Sequence, residues 1–170
     1  HHSFDRSLVP KQTHDRGIHR APPVLEYAGE LLGRYDVLFC DVWGVVHNGV
    51  AAYPQAVAAL QSYRRQGGRV VLITNAPRPR GSVVEQLARL KVPADAYDAI
   101  VTSGDVTRQL VAELGDKVIY QLGPEKDLGI YAGSTARLGP ADKAEAVVCT
   151  GLLDDATETP ENYRAMLADF

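Results

Sequence analysis

Three short apolar runs, each followed by a segment with helical spacing, succeed one another between residues 35 and 114. The runs cover residues 35–42, 69–74 and 99–102 and are rich in valine, leucine and isoleucine. Such runs predict buried strands, and strand–helix units in succession predict an α/β fold with a parallel sheet and right-handed crossovers. Ligands of such sheets bind beyond the carboxyl ends of the strands, so those ends are where we look for chemistry.

The pattern starts again after Gly115. Residues 118–122 and 144–149 predict two further strands around a middle rich in glycine and proline, and a helix is predicted from Pro160 to the end. We therefore predict a first unit over residues 24–114 and a second over residues 115–170. Residues 1–23 are polar, rich in histidine, arginine and proline, and lack a period, so we interpret them as a tag remnant or an extended arm.

Composition excludes several classes of function. A formal charge of -3 gives no general attraction to nucleic acid, and no apolar run approaches the ~20 residues that span a bilayer. Cys40 and Cys149 lie in apolar runs without metal-type spacing, so we expect both to be buried core residues. That interpretation, with no signal-peptide pattern, predicts a cytoplasmic protein without nucleic-acid or membrane partners.

Polar residues follow the first two apolar runs directly. Asp41 stands at the end of the first run, and Thr74 with Asn75 at the end of the second. An aspartate at a strand tip can act as a nucleophile toward phosphorus, and a nearby hydroxyl can bind the phosphoryl oxygens. The backbone N–H groups of residues 42–44 are predicted to face the same oxygens, with Gly44 allowing close approach. A dianionic substrate beside a carboxylate needs a cation, which favours Mg²⁺.

Two stretches, FCDVWGVVHNG at 39–49 and VVLITNAPRP at 70–79, resemble the first two motifs of the haloacid dehalogenase-like (HAD) hydrolase superfamily. Their particular form, together with VTSGD and CTGLLDD further on, resembles subfamily IIA, over roughly residues 24–170. The resemblance implies a Rossmannoid core whose first half is residues 24–114, followed by the start of an inserted α/β cap. It also implies a Mg²⁺-dependent phosphatase that acts on small phosphate monoesters of the sugar-phosphate type.

By the same resemblance, Asp41 is the nucleophile and a Mg²⁺ ligand, and Thr74 binds phosphate together with Val42, Trp43, Gly44 and Asn75. Trp43 replaces the usual second aspartate. Its backbone carbonyl can still bind the metal, but its side chain cannot protonate a leaving alkoxide, a role worth ~10²–10⁴-fold in rate.

We therefore expect a slow phosphatase or one restricted to good leaving groups, with His47 as a substitute acid or base. Dehalogenation is a coherent alternative, because halide leaves without a proton. A non-catalytic phosphometabolite-binding or regulatory protein is the alternative from another class.

The family's downstream lysine and acidic pair have no counterpart up to Phe170, because Lys117, Lys126 and Lys143 match no such motif. We therefore expect an incomplete cap, and the activity of these 170 residues alone is in question. The expected partner is a small phosphorylated metabolite, and we place any homodimer contact on the cap.

Several conspicuous polar residues have structural interpretations. We expect Arg78 and Arg80 to be solvated, and Ser103 and Asp105 to cap a helix. Ser82 and Glu85 form a capping-box pattern that predicts a helix start. The acidic residues Asp154, Asp155 and Glu158 are interpreted as a solvated loop.

Overall fold

The computed structural model describes residues 24–154 and 156–168, and within them the strands form two parallel sheets. The first sheet has the order β1-β2-β3 and comprises β1 (Val37–Asp41), β2 (Arg69–Thr74) and β3 (Ala99–Thr102). The second has the order β5-β4-β6 and comprises β4 (Val118–Leu122), β5 (Arg137–Leu138) and β6 (Ala146–Cys149). The predicted α/β fold with parallel sheets is confirmed, and the predicted arm at residues 1–23 lies outside the described residues.

Helices connect the strands. The α-helices are α1 (Gly29–Leu32), α2 (Pro54–Arg65), α3 (Arg80–Arg89), α4 (Ser103–Leu114) and α5 (Pro160–Leu167). Short 3₁₀ helices cover Ala94–Ala96, Glu125–Tyr131 and Ala141–Lys143. The sequence predicted neither α1 nor β5, because elements of four and two residues are too short to show a period. Among the described residues, no helix combines the length and apolar character needed to cross a membrane.

The start of α3 differs from the prediction. The helix begins at Arg80 with Pro79 as its N-cap, so the capping box of Ser82 and Glu85 is wrong. The Arg80 N–H instead donates to the Asp105 Oδ1 of another segment at 3.2 Å. Ser82 lies in the first turn, where its backbone N–H donates to the Pro79 carbonyl at 3.0 Å. A proline, with its φ already fixed, precedes this helix in place of the predicted capping residue.

One face of the first sheet carries the core. Alternate side chains of β2 point to opposite faces, and Val70 and Leu72 are fully buried. Leu60 of α2 and Leu87 of α3 are buried in the same cluster, because each helix presents its apolar positions toward the sheet. This cluster holds the carboxyl ends of the strands in place.

The opposite face of this sheet is exposed in the described part of the chain. Phe39 is 67% exposed, Ile73 41% and Val101 43%. Ile73 and Val101 are register partners on neighbouring strands, so these apolar side chains share a face. Cys40 points the other way and is half-buried, whereas Cys149 falls on an exposed position of β6, so the prediction of a buried Cys149 is wrong.

Helix α4 connects the two sheets. Its N-cap is Thr102, whose hydroxyl oxygen accepts from the Asp105 N–H at 2.9 Å, so the predicted caps Ser103 and Asp105 lie inside the first turn. Gly104 touches the loop after β2 so closely that a Cβ would lie 2.4 Å from the Arg78 carbonyl carbon. Further along α4, Arg108 donates to the Ala132 carbonyl at 3.1 Å. The helix therefore contacts both the first sheet's loop and the second unit.

Candidate active site

Asp41 is the last residue of β1 and Thr74 the last residue of β2, so both lie at the carboxyl ends of adjacent parallel strands. The Asp41 carboxylate is exposed, and its Oδ1 accepts a hydrogen bond from the Val42 N–H at 2.7 Å. The Thr74 hydroxyl oxygen is buried and accepts from the Ala76 N–H at 3.2 Å. Both side chains stand at the sheet edge that the sequence predicted, each with one oxygen fixed by a following backbone N–H.

The two side chains line different cavities. Asp41 is the register partner of Ile73, so the side chain of Thr74, one residue later, points to the opposite face. Asp41 lines a cavity of about 310 Å³, whereas Thr74 lines one of about 600 Å³. Asn75 lines both cavities and is the link between them.

The loop after β1 folds on itself through its backbone. The Val42 carbonyl accepts from the Val46 N–H at 2.8 Å, and the Gly44 N–H donates to the His47 carbonyl at 2.7 Å. Gly44 has a φ of 79°, which only glycine adopts freely. The N–H groups of Val42 and Gly44, which we expected to face phosphoryl oxygens, therefore have partners inside the protein. The sequence does not reveal these loop hydrogen bonds.

Trp43 and His47 both line the larger cavity. The Trp43 side chain is 64% exposed, so it lies at the cavity rim and contributes little to the core. His47 is buried, and its Nδ1 accepts from the Gly49 N–H at 2.9 Å, which leaves the ring proton on Nε2. Burial lowers the pKa of His47, so the imidazole is neutral at pH 7 and can donate through Nε2.

Arg78 also lines the larger cavity. It is half-buried, and its guanidinium donates to the Gln86 Oε1 at 2.9 Å. The prediction that Arg78 is merely solvated is therefore wrong, because the close approach of Gly104 holds this loop at the sheet edge. Arg80 is exposed, as predicted.

The second unit supplies the remaining wall of this cavity. Its lining residues are Pro124, Lys126, Asp127, Thr150, Gly151 and Leu152. Thr150 directly follows β6, so the strand-tip rule indicated this region and the CTGLLDD motif includes it. Asp127 lies in a 3₁₀ helix without a detectable period, and sequence reasoning missed it.

The acidic residues near the end of the chain form a turn. Glu158 accepts from the Leu153 N–H at 2.7 Å and from the Asp154 N–H at 3.0 Å. A hydrogen bond from the Tyr163 hydroxyl is the main cause that lowers the pKa of Glu158. Asp154 is exposed and Asp155 lies outside the described residues. No group of three or more His, Cys, Asp or Glu side chains that could hold a metal occurs in the described ranges.

Comparison with known proteins identifies the family. The haloacid dehalogenase-like hydrolase profile matches residues 38–134. A haloacid dehalogenase-like hydrolase from Brucella suis 1330 is 51% identical over 86% of the chain, with a TM-score of 0.77. The chain belongs to the haloacid dehalogenase-like hydrolase family. No curated protein matched the sequence significantly.

More distant solved structures share the fold. A magnesium complex of a glycerol phosphate phosphatase from Mycobacterium tuberculosis is 25% identical over 78% of this HAD-like chain, with a TM-score of 0.54. The p-nitrophenyl phosphatase from Archaeoglobus fulgidus is 20% identical over 79%, with a TM-score of 0.56. This HAD-like chain covers 56% of the Brucella protein, 40% of the mycobacterial one and 51% of the archaeal one, about half of their lengths.

Proposed function

We propose that the protein is a Mg²⁺-dependent phosphatase that hydrolyses a small phosphate monoester of the sugar-phosphate type through an aspartyl-phosphate at Asp41. The observation that carries this proposal is an exposed carboxylate at the tip of β1, one strand from the Thr74 hydroxyl, in a family of hydrolases. A solved structure that is 25% identical to this chain is a glycerol phosphate phosphatase in complex with magnesium.

The contacts of Asp41 assign different roles to its two oxygens. Oδ1 is held by the Val42 N–H, which fixes the carboxylate and leaves Oδ2 as the attacking atom. Oδ2 attacks phosphorus, the bond from phosphorus to the alkoxide oxygen breaks, and the alkoxide takes up a proton from solvent water. Water then hydrolyses the acyl phosphate and restores Asp41. We propose that the phosphoryl group lies over the strand ends at Asn75, which lines the cavities of both Asp41 and Thr74. There the Thr74 hydroxyl donates its hydrogen to a phosphoryl oxygen, since its own oxygen already accepts from the Ala76 N–H.

The oxygen atoms at this strand tip suit Mg²⁺. A carboxylate at Asp41 and a backbone carbonyl at Trp43 are hard donors, and Mg²⁺ is commonly held by one or two carboxylates, substrate phosphate and water. When bound, the ion would reduce the repulsion between carboxylate and phosphate. Asp41 and Trp43 are the residues of this chain that we propose to hold it.

The site lacks an effective general acid to protonate the leaving group. The exposed Trp43 side chain has no acidic proton, and His47 is neutral with its proton on Nε2. A neutral imidazole is a poor acid, so we propose that the enzyme prefers esters whose alcohols leave without protonation. p-Nitrophenyl phosphate is such an ester.

The test is phosphate release from p-nitrophenyl phosphate by the full-length protein, with Mg²⁺ or with EDTA. We expect Asp41→Asn to reduce kcat by ~10⁴-fold or more, as loss of a nucleophile does. Asp36→Asn is the matched control, because Asp36 is exposed and directly precedes the same strand, at the end far from Asp41. Equal rates for wild type and Asp41→Asn would disprove the proposal.

A non-catalytic phosphometabolite-binding protein is the second candidate. It is favoured by the internal hydrogen bonds of the Val42 and Gly44 N–H groups and by Trp43 at the position of the acid. For this candidate, wild type releases no phosphate, yet glycerol 3-phosphate binds to wild type and Asp41→Asn with equal affinity in a calorimetric titration.

A further inference from the structure

Asp127 is a buried carboxylate with an unsatisfied oxygen. The residue is 3% exposed, and its Oδ1 has no hydrogen-bond partner among the residues that the structure describes. Its backbone is fixed, since its N–H donates to the Pro124 carbonyl at 3.0 Å. Buried polar atoms normally have partners, and one without a partner in a cavity wall is a candidate for contact with a ligand.

The position of Asp127 in the cavity defines which part of a ligand it would meet. It lines the 600 Å³ cavity from the second unit, whereas Thr74 and Asn75 line it from the first sheet. A phosphate group at the strand tips is repelled by the carboxylate, so the organic part of the ligand belongs beside Asp127. The volume lies in the range of small-molecule sites.

Thr150, in the same wall, is oriented by its own network. Its hydroxyl oxygen accepts from the Gln121 Nε2 at 3.0 Å, and the Gln121 Oε1 accepts from the Tyr131 hydroxyl. The Thr150 hydroxyl hydrogen is thus free to donate, while Asp127 can only accept when ionised. A hydroxyl group, which both donates and accepts, complements this pair.

The charges in the wall favour a hydroxyl over an ammonium group. Lys126 and Arg78 also line the cavity, and both are cationic. They attract a phosphate ester and repel a positively charged substituent. The acceptor at Asp127 is therefore suited to a neutral donor.

We propose that Asp127 determines specificity by accepting a hydrogen bond from a hydroxyl group on the organic part of the phosphate ester. The inference rests on the proposed function, which places the phosphate at the strand tips of Asp41 and Thr74. A buried acceptor left unpaired discriminates strongly against ligands that lack the matching donor.

The test compares two esters of equal length and charge, glycerol 3-phosphate with two hydroxyl groups and propyl phosphate with none. Binding is measured by calorimetry in the full-length Asp41→Asn protein, which removes the proposed nucleophile. We expect glycerol 3-phosphate to bind ~10–100-fold more tightly. Adding Asp127→Ala should reduce this ratio to about twofold, and Asp127→Asn, which keeps an acceptor oxygen, should give an intermediate ratio.

Asp142→Ala is the matched control, because Asp142 is an exposed aspartate of the same unit outside the cavity lining, and its ratio should equal that of the parent. Inorganic phosphate should bind to Asp127→Ala and Asp127→Asn no more weakly than to the parent, because both variants lose a carboxylate that repels it. Thermal melting separates recognition from a structural role, since removal of an unpaired buried carboxylate should not lower Tm. A ratio near one in the parent, a ratio unchanged by Asp127→Ala, or a lowered Tm that accounts for weaker binding would overturn the inference.

The two proposals can fail separately. If the protein with Asp41 intact hydrolyses neither ester but the binding ratio depends on Asp127, the phosphatase proposal fails and Asp127 still selects the ligand. If it hydrolyses both esters with a preference that does not depend on Asp127, the phosphatase proposal holds and this inference fails.

Discussion

The first sheet and the second unit contribute different chemical groups to the same cavity. The first sheet brings Thr74 and Asn75 to the cavity, and the Thr74 oxygen already has a backbone partner. The second unit brings Asp127, whose Oδ1 has none in the described residues. In the two proposals above, the reacting groups therefore belong to the first sheet and the choice of ligand to the second unit. Loss of a phosphate-binding group in the first sheet should therefore affect all phosphate esters equally, and changes at Asp127 in the second unit should not.

After the loss of the nucleophile at Asp41, the largest effect is expected at Thr74. Thr74→Val keeps the shape of this buried side chain but removes the hydroxyl that we assign to the phosphoryl oxygens. We expect kcat to fall by ~10²–10³-fold, as for the loss of one preorganised donor, and by the same factor for glycerol 3-phosphate and propyl phosphate. Steady-state kinetics with both esters measure it, and Thr74→Ser should restore most of the activity. A loss of activity with only one of the esters would contradict the assignment of ligand selection to the second unit alone.

Gly104 tests the contact that holds the Arg78 loop. A Cβ at Gly104 would lie 2.4 Å from the Arg78 carbonyl carbon, so Gly104→Ala must displace backbone. We expect the free energy of unfolding to fall by about 1–3 kcal/mol, as overpacking does, measured by urea denaturation. Gly81→Ala is the matched control, since a Cβ there meets no atom within 4 Å, and it should stabilise α3 slightly. Equal stability of the two variants would contradict the contact.

A substitution at Trp43 tests whether the absence of a general acid limits the rate. Trp43→Asp replaces an exposed side chain at the cavity rim, so the fold should persist. We expect kcat for propyl phosphate to rise by about tenfold, the effect of a general acid that is not fully positioned. The rate with p-nitrophenyl phosphate, whose leaving group needs no proton, should stay nearly constant. No increase in a folded variant would show that protonation is not limiting, and Trp43→Phe controls for loss of the indole.

The smallest effect concerns stability and pH in the first unit. The side-chain hydrogen bond from Arg64, with N···O distances of 2.9 and 2.6 Å, is the main cause that lowers the pKa of Asp98, and the Val70 N–H contributes. A lowered folded-state pKa stabilises the fold above the unfolded value of about 3.9, and this stability is lost as pH falls through the folded value. The Tm difference between wild type and Asp98→Asn should thus be largest near pH 7 and shrink below about pH 4. Asp116→Asn, at an exposed position, is the matched control.

The sequence predicted most of the first sheet and the position of its polar tips. Apolar runs and helical spacing are properties of neighbouring residues, and they placed Asp41 and Thr74 at adjacent strand ends. These two side chains point to opposite faces of the sheet because of the register between β1 and β2. The sequence of either strand alone does not determine that register. The hydrogen bond from the Gly44 N–H to the His47 carbonyl forms only in the folded loop, so it could not be deduced from glycine content alone.

The second unit was less predictable. Its short strand β5 and its 3₁₀ helices have too few residues to show a period. Asp127 therefore looked like any surface acid in the sequence, and only its burial distinguishes it. The prediction for Cys149 was wrong in the opposite sense, since it expected burial and the residue is exposed. An apolar strand was assumed to be buried on both faces, whereas β6 alternates between half-buried and exposed positions.

Helix α4 also sets a constraint on insertions and deletions. Gly104 near its start touches the Arg78 backbone, and Arg108, four residues later, binds the Ala132 carbonyl from the same helix. Each residue of an α-helix adds a rise of about 1.5 Å and a rotation of about 100°. One inserted residue between these two contacts would turn the second unit about the helix axis and move Asp127 away from the strand tips. The length of this helical segment is thus as much a part of the binding site as the residues that line it.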